Sequence, residues 1–341
     1  FAEQFKVELK DKGKETKPRI FKMSPLVHTV LLRRYFAEFL DYCHSNRETT
    51  GICVGINPFS EDWEKLMKQV TKHGNNVFGK DFEKYDKRML HMFQQRLNKA
   101  ILKNSPYTGV DKTLSEFLIS SIGMMTCISF SDSYMTTHSL ASGGGLTAEY
   151  NSCIHLMYTA YTFYILFKEQ FGKAPNLYHY INNVSDCTYG DDGLTGVSKE
   201  YSCWFNGPTV ARVLATIGLS CTTESKGAWT YTTRAIEECT FLKRGFIYHK
   251  ELNRFVAPLE LRSMRSTLNF VKDDFRNMEL TVTKLQNYQR ELFLHEPLYD
   301  SQLRYVVAFA KERGVIFKPL TREYLIELYE TDQFVDLLAL S

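Results

Sequence analysis

Four consecutive residues, Tyr189-Gly190-Asp191-Asp192, set two carboxylates side by side next to a glycine. Carboxylate oxygens are hard donors that suit a divalent cation, and Mg²⁺ is usually held by one or two of them with phosphates and water completing its shell. The chemistry such a pair points to is phosphoryl transfer. Val184, Cys187 and Tyr189 lead into the glycine, and Leu194 and Val197 follow it, so the segment reads as a strand, a Gly-Asp turn and a second strand with both acids presented outward. A lone hairpin tip of this kind is ordinarily just solvated. A third acid gives it company. Asn76-Val77-Phe78-Gly79 precede Asp81-Phe82-Glu83-Lys84-Tyr85-Asp86, and Met89, Phe93, Leu97 and Ile101 then recur every four residues. That spacing predicts a strand with Asp81 at its carboxyl end, followed by an amphipathic helix. Asp81 is then either the N-cap of that helix or a metal ligand. With Asp191 it would hold two ions about 3.5–4 Å apart, one activating a hydroxyl and one bracing a leaving pyrophosphate.

A second constellation is Ser142-Gly143-Gly144-Gly145-Leu146-Thr147-Ala148-Glu149-Tyr150-Asn151. Three glycines free the backbone for unusual dihedrals and for close approach by a ligand. An apolar helix is predicted from about Thr147 to Phe171, stopped by Gly172. Ser142, Thr147 and Asn151 offer hydrogen-bonding groups at its start, and Thr147 and Asn151, four apart, share a face. On its own the loop reads equally as a linker with a threonine cap.

In this order and spacing, the three elements resemble the palm of a viral RNA-dependent RNA polymerase of the picornavirus-like supergroup, which takes in picornavirus, calicivirus and dicistrovirus or iflavirus enzymes. Gly218-Leu219-Ser220-Cys221-Thr222-Thr223-Glu224-Ser225-Lys226 is similar to the family's fourth palm motif, and Phe241-Leu242-Lys243-Arg244 to its fifth, a hairpin leading to the thumb. Lys6-Val7-Glu8-Leu9-Lys10, with Lys12, Lys14, Lys17 and Arg19, resembles the basic fingers motif along the path by which nucleotides reach the site. Six motifs in the family's order span residues 6 to 244.

The resemblance implies an α+β right-hand polymerase: an antiparallel-sheet palm backed by helices, partial fingers and a mostly helical thumb. It implies two Mg²⁺ ions, with Mn²⁺ as a substitute, on Asp81 and Asp191, and Asp192 as an auxiliary acid at the metal and primer end. Lys6, Lys14 and Arg19 would hold the triphosphate, Arg by a bidentate fork and Lys as a point charge. Asp86, Ser142, Thr147 and Asn151 would read the ribose, whose 2′-hydroxyl both donates and accepts. Lys226 would protonate the departing pyrophosphate, an ammonium of ordinary pKa about 10.4 being charged at neutral pH, although a lone lysine after a loop is usually only solvated. Gly143, Gly144, Lys243 and Arg244 would touch primer or template. A reverse transcriptase typically carries an aromatic side chain five residues after its first catalytic Asp. Here that position is Asp86, which with Asn151 disfavours deoxyribonucleotides.

The implied activity is template-directed addition of ribonucleotides to an RNA 3′ end, replicating a positive-strand viral genome. Its partners would be RNA template and primer, ribonucleoside triphosphates, a protein primer and other viral replication proteins. It would act in host cytoplasm, at membrane replication complexes reached through those partners. The competing reading is a polymerase-derived RNA-binding scaffold that no longer catalyses. Leu146 stands where picornavirus enzymes commonly have a small residue, which is closer to calicivirus or insect-virus relatives. The chain starts at Phe1 and carries little sequence ahead of the basic motif, as a fragment of a longer polymerase or polyprotein would.

Composition is consistent with this reading without selecting it. A chain of 341 residues, 44% hydrophobic and 14% aromatic, can bury more than one core. A net charge of +3 is too slight to mark a nucleic-acid binder by itself, and residues 1–24 hold seven basic against four acidic side chains. Eight cysteines without a CxxC pair argue against a zinc ribbon and suit a reducing compartment. The most apolar run, Leu156 to Phe167, falls short of the about 20 residues that cross a bilayer. The expected organisation is fingers at 1–35, palm at 36–119, a return to fingers at 120–140, palm at 141–245 and thumb at 246–341. A strand and turn are expected at Gly51–Pro58 and helices at Trp63–Val70, Thr281–Phe293 and Ser301–Arg313.

Overall fold

The computed structural model describes residues 1–5, 20–129, 132–268 and 278–331. Among these the strands are β1 (Ala2–Phe5), β2 (Ile20–Met23), β3 (Val77–Phe82), β4 (Thr126–Ser129), β5 (Asp132–Met135), β6 (Val184–Tyr189), β7 (Asp192–Val197), β8 (Cys221–Thr222), β9 (Ile247–His249) and β10 (Arg254–Val256). The central sheet runs β6-β7-β3-β8 and is antiparallel throughout. Alternation along its strands divides two cores. Phe78, Phe82, Val184 and Val197 face one of them, and Val77, Cys187 and Leu194 face the other.

On the first face lies the helix Thr147–Phe171, ended by Gly172 in the left-handed conformation as the sequence predicts. Helices His91–Lys103 and Gly207–Thr216 pack beside it, the latter begun by an Asn206–Thr209 capping box. Tyr150, Ile154, Tyr158, Phe163 and Phe205 fill the space between helices and sheet. On the second face, helix Asp62–Val70 presents Trp63, Leu66 and Val70 at i, i+3 and i+7, and Trp63 stacks on Phe246.

A separate four-stranded sheet, β2-β1-β4-β5, joins the amino end to residues 126–135. The carboxyl end is helical, with Leu261–Leu268, Met278–Phe293, Tyr299–Glu312 and Arg322–Glu330 gathered around their own core of Leu292, Phe293, Tyr299, Leu325 and Tyr329. Among the described residues no helix is long and apolar enough to cross a membrane.

Two local expectations change. The helix expected right after Asp81 is broken: Tyr85–Arg88 forms one turn, Met89 is extended, and the main helix starts at His91. Met89 is nonetheless fully buried, so the four-residue apolar period reflects one continuous core rather than one helix. The strand expected at Gly51–Pro58 is instead a single bridge, Ile52 to Thr188, followed by turns.

In β7 the sheet and helix Asp62–Val70 approach so closely that a Cβ at Gly196 would overlap the Val70 carbonyl oxygen. Gly172, by contrast, has a positive φ but open space around it. Gly196→Ala is expected to lower unfolding free energy by about 3 kcal/mol, and Gly172→Ala by about 1 kcal/mol. Urea titrations of the two variants check this, and equal losses would mean the sheet yields at Gly196.

Candidate active site

The β6–β7 register pairs Tyr189 with Asp192, leaving Gly190 and Asp191 as a two-residue turn. Gly190 has φ +66 and Asp191 does not share that sign. This is the II′ arrangement, whose first central position wants glycine. Asp191 is exposed at the tip. Asp192 is partly buried, so the expectation that both acids point outward holds for one of them only. β3 pairs Lys80 with Gly193, and one step further along that register sets Asp81 across from Asp192. Asp81 is an in-strand residue opposite Thr222, and the short helix that follows is capped at Lys84, so the N-cap alternative for Asp81 is excluded.

The three acids share a field. Burial pushes the Asp192 carboxyl up to about 7, with the negative charges of Asp191 and Asp81 adding to it, against hydrogen bonds from the Leu242 and Gly193 backbone N–H groups. The Leu242 N–H donates to Asp192 Oδ2 at 2.7 Å. Leu242 and Lys243 both have positive φ, 54 and 60, forming a tight turn closed by the Phe241–Arg244 bridge. Left-handed non-glycine residues are costly and concentrate at functional sites; here the strained peptide is the one aimed at Asp192. Lys226, also at positive φ, brings Nζ to 3.7 Å from Asp81 Oδ2 while its side chain stays 74% exposed. It is thus a surface lysine directed at the acid cluster.

Asp86 and Ser142 meet, Ser142 Oγ donating to Asp86 Oδ2 at 3.2 Å. Thr147 is turned to the loop instead: its hydroxyl donates to the Ala141 carbonyl at 2.8 Å and accepts the Gly144 N–H. Asn151 is buried with no hydrogen bond to its side-chain oxygen, while Tyr85 Oη donates to its backbone carbonyl. The expected four-residue cluster is therefore a joined pair, one threonine committed to the loop and one unsatisfied amide.

The glycine run and the fifth motif are both tied to neighbouring segments. The Gly143 N–H donates to the Lys22 carbonyl and its own carbonyl accepts the Ser24 N–H, so Gly143 continues from β2 while its surface stays exposed. The Gly144 N–H is taken up by Ala141 and Thr147. Arg244 makes a bidentate pair with Glu291 at 2.6 and 2.9 Å and also donates to the Ala257 carbonyl. Its guanidinium ties the turn to helix Met278–Phe293. Lys243 remains exposed. Lys6, Lys14 and Arg19 lie outside the described residues.

Sequence reasoning missed what holds the hairpin from behind. Ser152, His155, Thr159 and Thr162 form a buried polar stripe on the long helix, at spacings of three and four residues. Polar residues at helical period inside an apolar helix were the available signal.

Mutually repelling carboxylates are the kind of donor set a dication relieves, although among the described residues no three acidic, His or Cys side chains stand as a ready-made metal-binding group. In metal-free buffer the sign is fixed: a carboxyl with a raised pKa stabilises the fold below its unfolded value, about 3.9, and that contribution is lost as pH rises through about 7. Asp192→Asn should therefore flatten the fall in melting temperature between about pH 4 and 7. Parallel profiles for variant and parent would contradict the raised pKa.

The family described as viral RNA-dependent RNA polymerase matches residues 1–311. Similar proteins include the replicase polyprotein of Cricket paralysis virus, 28% identical over 320 residues and covering 91% of this chain and 18% of that polyprotein. Another is the RNA1 polyprotein of Red clover mottle virus, 29% identical over 292 residues, covering 83% of this chain and 15% of the polyprotein. The chain thus spans less than a fifth of the length of either. Among solved structures, the Sicinivirus 3Dpol RNA dependent RNA polymerase superposes with a TM-score of 0.80 at 16% identity, covering 96% of this chain and 66% of that one. The chain belongs to the viral RNA-dependent RNA polymerase family, whose members generally use divalent metal ions, and its fold is that of the family.

Proposed function

We propose that this chain carries the catalytic centre of an RNA-directed RNA polymerase that replicates a positive-strand viral genome from ribonucleoside triphosphates. The observation that carries the reading is that the charges of Asp191, in the turn, and Asp81, on β3, both act on Asp192 of β7, with Lys226 directed at Asp81. In this reading residues 1–35 and 120–140 belong to fingers, 36–119 and 141–245 to palm, and 246–341 to thumb.

Asp81 and Asp191, with Asp192 beside them, would hold two Mg²⁺ ions or Mn²⁺ in their stead. When bound, such ions supply Lewis acidity at the attacking 3′-hydroxyl and at the leaving pyrophosphate. Lys226 is a primary amine on an exposed arm within reach of Asp81, suited to give a proton to pyrophosphate oxygen as charge builds there. Asp86 and Ser142, already joined, present one acceptor and one hydroxyl where a ribose could be read, and the unsatisfied Asn151 oxygen offers a further acceptor. An aromatic side chain at position 86 would exclude the 2′-hydroxyl; a carboxylate welcomes it. Lys6, Lys14 and Arg19 are proposed for the triphosphate, and exposed Lys243 for the primer strand. A non-catalytic scaffold gives no reason to keep three acids in mutual repulsion. Template and primer RNA are the proposed partners, with a protein primer and other replication proteins of the virus. The proposed place of action is the host cytoplasm, on membranes reached through those proteins.

Primer extension with purified protein tests the reading. Asp191→Asn is expected to abolish Mg²⁺-dependent incorporation while the melting temperature holds, because the side chain is exposed and a neutral amide is a poor metal ligand. Substantial activity in that variant would remove the metal assignment. Lys226→Leu should slow single-turnover chemistry by about 10²–10⁴-fold with little change in nucleotide affinity, and Lys226→His should recover activity toward low pH. Parental rates across pH for Lys226→Leu would reduce the residue to a surface charge.

A further inference from the structure

The polar stripe on helix Thr147–Phe171 has two halves. Its lower half serves the core: Thr159 Oγ1 accepts from Lys80 Nζ at 2.6 Å. Its upper half ends on the turn that carries Asp191. Ser152 Oγ accepts the Gly190 N–H at 2.8 Å while donating its own proton to the Ala148 carbonyl at 2.7 Å. His155 Nδ1 sits 3.4 Å from the Gly190 carbonyl oxygen. A carbonyl can only accept, so Nδ1 carries the hydrogen, which leaves Nε2 as a bare lone pair without a partner in the core.

Such an arrangement is expensive for a core histidine. An apolar residue of similar size would fill the space without an orphaned nitrogen, but it would leave the Gly190 carbonyl unanswered. The imidazole is also gripped on its other sides. The ring of Phe82, next to Asp81, meets it edge to face at 4.9 Å and 89°, and a Cβ at Gly193 would collide with it. His155 therefore touches the neighbours of two separate acids. Ser152 and His155 together take both backbone polar groups of Gly190. Holding the N–H and the carbonyl of one turn residue fixes the peptide planes on either side of it, and with them the Cα from which Asp191 projects.

We infer that Ser152 and His155 are positioning residues: they clamp the Gly190 peptide groups so that the Asp191 carboxylate stays in register with Asp81. The clamp also ties that geometry to the helix turn bearing Asn151, one residue before Ser152. The inference rests on the metal-site reading above, and the test separates the two.

Ser152→Thr and Ser152→Val are matched in shape and differ in the hydroxyl alone. Mn²⁺ binding, followed by electron paramagnetic resonance of the free ion, is expected to be about tenfold weaker in the Val variant than in the Thr variant, the size of one lost buried hydrogen bond. KM for nucleotide should be similar in the pair, with kcat lower in Val, and the Val variant should also melt lower because the Gly190 N–H is left unanswered. Should a branched side chain prevent folding, Ser152→Ala against the parent reads the same difference. Asp191→Asn is titrated alongside. If it weakens Mn²⁺ binding while Thr and Val, or Ala and parent, bind alike, the clamp is merely structural and this inference falls alone. If Asp191→Asn binds Mn²⁺ as the parent does, the metal reading falls and the clamp with it.

Discussion

A lysine with no exposed surface sits in the middle of the central sheet, and the site's geometry depends on it. Lys80 Nζ lies 3.4 Å from Asp186 Oδ1 across β7, and Thr159 takes a second of its protons. Asp186 in turn accepts from Thr195 Oγ1 at 2.6 Å and from Tyr180 Oη. Burial lowers the Lys80 pKa and the Asp186 charge opposes that shift. A buried pair of this kind adds little net stability, because desolvation cancels most of the Coulomb gain. Its consequence is register. Strand side chains alternate, so a one-residue slip of β3 would turn Lys80 to the other face, strand Asp186 in an apolar core and carry Asp81 away from Asp192. Only the observed register satisfies the buried ions, and it is the register that lines up the acids.

The opposite face of the sheet uses a different device. Asp192 is held by a backbone N–H from a turn whose two central residues, Leu242 and Lys243, occupy a conformation that side chains disfavour. The strain is contained because both flanks are pinned: Phe241 is buried against Trp63, and Arg244 is locked to Glu291 and Ala257. The same four residues therefore join the β6–β7 hairpin to the helical carboxyl end. A shift of helix Met278–Phe293 would pass through Arg244 to the peptide that holds Asp192.

The sequence displays the acids, the glycine loop and the long helix because each rests on a local rule. Carboxylates flank a turn glycine, apolar residues recur at period 3.6 or 2, and a glycine ends the helix. It also displays Lys226 through its motif, although nothing local says that its amine would reach Asp81. What stayed hidden depends on pairing between distant segments. Arg244 looks like a free cation in the sequence, and it takes Glu291, 47 residues on, to neutralise it. Gly143 looks unpaired until residues 22 to 24 come alongside, and Gly144 until the loop folds back on Ala141 and Thr147. Met89 continues a helical period through a helix break, because a core records distance from the sheet and not the conformation of the backbone that supplies the side chain. Ser152 and His155 were legible as oddities of pattern, yet their meaning required the turn they face.

The three acids are handled unequally, and the inequality is itself informative. Asp81 has an ammonium nearby, but one on an exposed, pliable arm that screening weakens. Asp192 is raised by its burial and by the charges of Asp191 and Asp81, against the neutral backbone N–H groups of Leu242 and Gly193. Asp191 is left at the exposed tip. The fold could have stabilised the cluster with a buried arginine, and it has that option at hand in Arg244 and Arg234, both of which are spent on glutamates away from the acids. A fixed internal cation would compete with any dication brought to the site. Rigidity is supplied instead by groups without net charge: Ser152 and His155 on the Gly190 peptide, and Leu242 on Asp192. Neutral hydrogen bonds fix where the carboxylates stand without adding positive charge, and negative charge at fixed positions is what gives a carboxylate cluster its affinity for a hard cation.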